Sequence, residues 1–323
     1  MKGIGLALAA LVMTVVPAQN DPAFLLAILN RDGLAQPFAA FDGRRWKASW
    51  PDHRGTELPI SLTSVDRDWW GIGEAPSRMT LWADGTAVAE TSVTALAQIR
   101  ALCSGRIGVR TDYRSKAPPA PRMKQPYPKE GLLVTGGVQV GRIDIVGRSS
   151  QEWNRALLLV TDNFNQEEAR AILSFGGWRH PVREETRRRQ QISIEAMYKA
   201  PSDTAGWTTY FVEAVREYEP ASFRPAGPLG LARKDDCGLT TTGQAWVHVG
   251  PDNKSEVEMT SRVTFCDRKG VNVMLPFGTV RARNRTYWVY QFSGYEDEWY
   301  QVVRPEPKDI DVAVTFHAGS CPE

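Results

Sequence analysis

The sequence predicts an all-β or mostly β protein, with antiparallel sandwich- or barrel-like sheets and a few short helices. Two observations carry that expectation. Beyond residue 237, short runs rich in β-branched and aromatic residues recur at 239–249, 255–266, 271–275, 286–293, 298–304 and 310–317, with turn residues between them. Within these runs apolar and polar side chains alternate, the two-residue period of a half-buried strand. Composition agrees, because 42% apolar and 24% charged residues can supply a sizeable core and argue against disorder.

The first residues read as a secretory signal. Lys2 precedes an apolar run from Gly3 to Val16, and Val16-Pro17-Ala18 offers small residues at the −3 and −1 positions, so cleavage after Ala18 is expected. Pro17, Gln19, Asn20 and Asp21 cut the run short of the roughly 20 apolar residues a membrane span needs. Secretion or a periplasmic location follows, with no membrane span once the signal is removed. The net charge of +2 gives no electrostatic reason to expect nucleic acid as a partner.

Residues 19–115 form an N-terminal β-rich region. Asp21-Pro22 before AFLLAILNR is read as a capped helix start, with proline at the first helical position. Strand patterns follow at 44–50, 58–65, 78–84 and 87–93. Residues 116–130 form a Pro-rich linker or loop, within a stretch that carries five of the 21 prolines. Residues 131–323 form a C-terminal antiparallel β domain with one helix near 165–175. Acidic residues open that helix and Gly176-Gly177 closes it, while RALLLVTD just before it reads as strand. Further strand patterns lie at 191–199 and 207–218.

One hairpin can be read residue by residue. A four-residue turn Gly250-Pro251-Asp252-Asn253 places Val257, Met259, Val263 and Phe265 on the face of Trp246, and turns Glu256, Glu258, Arg262 and Thr264 the other way. The same register sets Cys237 opposite Cys266, inside disulfide reach. Four cysteines in an exported chain predict two disulfides, so Cys103 is left to pair with Cys321. No CxxC pair and no histidine at ligand spacing points to a metal, and no cofactor motif occurs.

Eleven tryptophans supply the ligand-binding candidates. An exposed indole covers the C–H face of a sugar ring while its edge stays wet. Trp69 and Trp70 in DRDWWGIGE, and Tyr295 and Trp299 in the last hairpins, are the best placed. Trp288, Tyr290 and Phe292 alternate onto one face and read as core. Glu296-Asp297-Glu298, Asp235-Asp236, Glu184-Glu185 and Asp66/Asp68 are the carboxylate pairs a glycoside hydrolase would draw on. Asp162 to Glu167 offers oxygen ligands before the expected helix, although the glycine and spacing of a calcium loop are missing. No histidine accompanies a nucleophile elbow, so catalytic residues are not identified.

These readings favour a non-enzymatic exported binding or structural protein that engages a glycan or a component of the cell envelope. The alternative is a secreted glycoside hydrolase-like enzyme that uses Asp/Glu pairs.

Overall fold

The computed structural model describes residues 21–48, 50, 61–101, 103–118, 128–175, 182–220, 237–294 and 297–321. The chain is mostly β, built from antiparallel sheets. The expected signal peptide lies outside the described residues.

The first half folds into a closed barrel. Its strands are β1 (Phe24–Leu29), β2 (Leu34–Phe41), β4 (Arg78–Ala83), β5 (Thr86–Ala101), β6 (Ser104–Thr111) and β7 (Gly131–Val134), with β3 (Trp46–Ala48) added outside β2. The order β1-β7-β4-β5-β6-β2 is closed into a ring of six by pairing of β1 with β2. One barrel strand, β7, thus comes from beyond the proline-rich segment.

FLLAIL is therefore strand β1 and not the expected helix. All six of its residues are at most 1% exposed, because one face lines the barrel and the other packs on a neighbouring sheet. Burial on both faces erases alternation, and a short apolar run then looks the same in helix and strand. The tight turn Asn30–Gly33, with Gly33 at φ +79°, sends the chain straight back into β2. Pro37 sits beside a bulge in β2, where a missing N–H is tolerated. The described part of the expected strand 58–65 is also corrected: Leu62–Ser64 forms a 3-10 turn.

Two five-stranded sheets make the second half. The first holds β9 (Asp144–Ile145), β10 (Ser193–Pro201), β11 (Thr208–Tyr218), β12 (Leu239–Val249) and β13 (Ser255–Phe265), in the order β13-β12-β11-β10-β9. The second holds β8 (Val140–Gly141), β14 (Asn272–Ala282), β15 (Arg285–Gly294), β16 (Asp297–Glu306) and β17 (Asp309–Ser320), in the order β17-β16-β15-β14-β8. Strand β14 runs seven residues past the expected end at 275. A bulge at Phe277 accommodates Pro276, which the sequence pattern treats as a terminator.

The layers stack through three cores. Phe211, Trp246, Trp288, Tyr290 and Phe292 fill the space between the two sheets, as the alternation in β15 predicts. Tyr287, Val289, Tyr300 and Phe316 point from the second sheet towards the barrel, where Tyr300 meets Phe38 at 5.4 Å between ring centroids. The outer face of the first sheet is covered by helix α2 (Gln151–Ala171), through Trp153, Ala156, Val160 and Phe164.

That helix begins 14 residues before the expected start at 165. Ser150 caps it by accepting from the Trp153 N–H. The buried positions have helical spacing, but Leu158 is 76% exposed and interrupts the contrast that would reveal the period. Asp162 to Glu167 lies in mid-helix and is no calcium loop. Instead, Glu168 ties α2 to the sheet: its carboxylate accepts from Tyr218 and Thr241, each at 2.6 Å, and pairs with buried Arg216.

The β12–β13 hairpin differs from expectation by one residue. The turn takes in Lys254 as well, since the Gly250 N–H donates to the Lys254 carbonyl and Val249 opposes Ser255. Trp246 therefore shares its face with Glu258 and Arg262, whereas Val257, Met259 and Val263 face helix α2 or its flank with Val247 and Ala245. A one-residue slip exchanges the two faces of a strand. Both cysteine pairs nevertheless lie at disulfide distance, Cys237 with Cys266 at 5.4 Å and Cys103 with Cys321 at 4.8 Å between Cα atoms. The first closes the open end of the hairpin, one step beyond the regular ladder. The second ties the β5–β6 turn to the end of β17.

Candidate functional site

Trp69 and Trp70 lie on the short helix α1 (Arg67–Trp70), which the Asp66 side chain caps through the Asp68 N–H. Trp70 is 1% exposed and meets Trp50 edge to face at 4.7 Å. Trp69 is half-buried and packs on the same tryptophan at 5.5 Å. Trp70 belongs to the barrel core and keeps no free face for a ligand, and Trp69 packs against that core. Tyr295 lies outside the described residues.

Trp299 is placed differently. It stands on β16 with its ring in the space between the two sheets, half-buried, at the end of an aromatic row that continues through Phe292 at 5.4 Å and Tyr290 at 5.2 Å beyond that. The row opens into a cleft of about 280 Å³ beside the edge strand β13. Thr242 and Gln244 of β12 and Thr260 and Arg262 of β13 line one side, all on the inner face of their sheet. The turn Gly270–Asn272 closes the end, and Trp299 forms the opposite wall.

Specific contacts hold this lining in place. The Gln244 amide donates to the Asn272 carbonyl at 2.6 Å, which joins the first sheet to the start of β14. Arg262 is exposed, and its guanidinium lies against Gly270 in the β13–β14 turn. A Cβ at Gly270 would stand 2.6 Å from Arg262 Nη2, and Gly270 has φ +75°, so this glycine supplies both the turn and the clearance.

Beside Gln244, on the same face of the sheet in strand β11, is Glu213, 7% exposed. Its Oε1 accepts from the Met274 N–H at 2.7 Å and from Gln244 Nε2 at 3.5 Å. Burial pushes its carboxyl up to about 7, despite the Met274 N–H, which favours the charged form. Glu195 raises it further, while Arg268 opposes the shift.

Among the described residues, none of the carboxylates named from the sequence lines this cleft. Glu298 is buried, accepts from Lys129 and Tyr300 at 2.7 Å each, and serves as a bridge between the residues preceding β7 and strand β16. Glu184 pairs with Arg188 on the exposed helix α3 (Glu184–Arg189), which also carries Glu185. Asp66 caps α1. Glu296, Asp235 and Asp236 lie outside the described residues. Of the histidines, His248 is buried and shares a hydrogen bond with Thr209 Oγ1 at 3.1 Å; burial pulls its pKa down to about 4. It belongs to the sheet and not to the cleft.

Sequence reasoning named Trp299 among its candidates but not Gln244, Arg262 and Gly270, which line the same cleft, nor Glu213 beside them. A signal for the last was present. Glu213 is the one acid among the apolar residues of YFVEAV, on the face of Phe211 and Val215, where a strand pattern demands burial. No protein-family model, curated protein or solved structure matches the chain.

Proposed function

We propose that this chain is an exported, non-enzymatic binding protein whose cleft between the two sheets takes one sugar unit of a glycan. The observation that carries the reading is the pairing of a half-buried tryptophan wall with amide, hydroxyl and guanidinium groups across a single cleft. Trp299 offers the apolar surface on which a pyranose ring stacks, and Thr242, Gln244, Thr260 and Arg262 offer directional hydrogen bonds to its hydroxyls. The cleft volume is at the small end of ligand sites, which suits a single ring and not an extended chain.

Among the described residues no Asp or Glu lines the cleft, and Glu213 is buried beside its lining residue Gln244. A two-carboxylate hydrolase needs a pair flanking the scissile bond, so binding is the better supported reading. Export rests on the signal-like N-terminus together with two cysteine pairs at disulfide distance, which suit an oxidising compartment. Intact mass of the protein recovered from its host is expected to give a mature form beginning at Gln19. For the cleft, co-sedimentation with insoluble polysaccharides is expected to retain the wild type and release Trp299→Ala. Equal retention of the two removes Trp299 from the site.

A further inference from the structure

We infer that the sugar unit held in this cleft is an acidic one, with a carboxylate that meets the Arg262 guanidinium. The inference rests on the saccharide reading above and adds the charge class of the ligand. Its starting point is how the charges near the cleft are shared out. Arg268, in the same β13–β14 connection, is fully engaged: its guanidinium meets both Glu195 oxygens at 2.8 Å and Glu217 at 3.0 Å. Arg262 makes no ion pair with any described residue, although it lines the cleft and is held across Gly270.

The carboxyl groups nearby do not supply its counter-charge. Glu213 is buried beside Gln244, one strand in from the cleft, with Oε1 turned to the Met274 N–H and the Gln244 amide, and burial keeps it largely protonated in mildly acidic conditions. Glu258 is on the same face of β13 but four residues along the strand, about 13 Å away at the usual rise. The cleft therefore presents one positive fork, one tryptophan face and neutral hydrogen-bonding groups. A guanidinium is matched in plane and charge by a carboxylate, which it binds through two parallel N–H donors. A hexuronate unit satisfies each element at once, with its ring on Trp299, its hydroxyls on Gln244 and the threonines, and its carboxylate on Arg262.

Isothermal titration of the full-length mature protein against an oligogalacturonate and a neutral oligosaccharide of the same length tests this. The acidic oligomer is expected to bind about tenfold or more tightly than the neutral one, the yield of a hydrogen bond to a charged group. Arg262→Gln, with circular dichroism matching the wild type, should bring the two affinities together by weakening the acidic oligomer more than the neutral one. Preference for the acidic oligomer should also fall with added salt. Equal affinities for the two oligomers in the wild type overturn the charge assignment and leave the saccharide reading standing. Preference that survives in Arg262→Gln assigns the carboxylate elsewhere and overturns the inference. Binding of neither oligomer overturns both.

Discussion

Glu213→Gln isolates the energetics of the buried acid beside the cleft. In the fold the Glu213 carboxyl is raised to about 7 from an ordinary 4.5. At ~1.4 kcal/mol per pH unit, that gap corresponds to about 3 kcal/mol. The sign follows from the direction. A raised carboxyl binds its proton more tightly in the folded than in the unfolded state, so its contribution is whole below pH 4.5 and is lost as pH rises through 7. Glutamine resembles the protonated acid: its carbonyl oxygen accepts the Met274 N–H and it carries no charge to bury. Urea unfolding followed by tryptophan fluorescence, at about pH 4.5 and about pH 8, is expected to show near-equal stability at the lower pH. At the higher pH the variant should be more stable by about 3 kcal/mol. Both proteins carry His248, so its titration cancels in the comparison. A variant of equal or lower stability at about pH 8 refutes the claim that Glu213 is ionised there at the expense of the fold.

Three further outcomes are expected. His248 has the opposite sign: its pKa is depressed to about 4 from 6.5, so its contribution is present above 6.5 and lost as pH falls towards 4. His248→Asn, which can still hydrogen-bond Thr209, should flatten the acid limb of the unfolding profile measured by circular dichroism. The Cys103→Ala, Cys321→Ala double variant opens a loop with a separation of 218 residues and should lose up to about 5 kcal/mol in the chain-entropy account, read from its denaturation midpoint. Gly243→Ala puts a Cβ 2.2 Å from Met259 Cε and 2.8 Å from the Phe164 ring, so it should lower stability by about 1–3 kcal/mol through displacement of helix α2 from the sheet.

The strands after residue 237 were legible from residue type and turn punctuation, since even β12 and β15, buried on both faces, are rich in β-branched and aromatic residues; the span 239–249 coincides with β12. Strand β1 was not, since FLLAIL combines burial on both faces with leucine and alanine, which suit a helix equally well, and follows Asp21-Pro22. Helix α2 hid its period behind exposed Leu158 and a run of adjacent leucines. The hairpin register slipped by one residue because the turn absorbs Lys254, a choice of local backbone geometry that the residue types at 250–253 do not dictate. The cysteine partners survived that slip, because a disulfide at the end of a ladder spans neighbouring registers within its reach.

The cleft was only partly readable for a related reason. Trp299 announces itself by residue type, but its partners come from β12, β13 and the following turn, brought together by the stacking of two sheets whose pairing lies 30 to 60 residues apart in sequence. Arg262 was correctly placed on the more polar face of its strand, yet the Trp246 it accompanies was put on the other side by the slipped register. Of Trp69 and Trp70, named beside Trp299 from the sequence, Trp70 belongs to the barrel core and Trp69 packs against it.

The most direct measurement is saturation-transfer difference NMR of an acidic oligosaccharide with the wild type and with Trp299→Ala. Transfer to the ring protons of the sugar that disappears in the variant, while its circular dichroism is unchanged, is the predicted result. Transfer of the same strength to both proteins contradicts the assignment of the cleft.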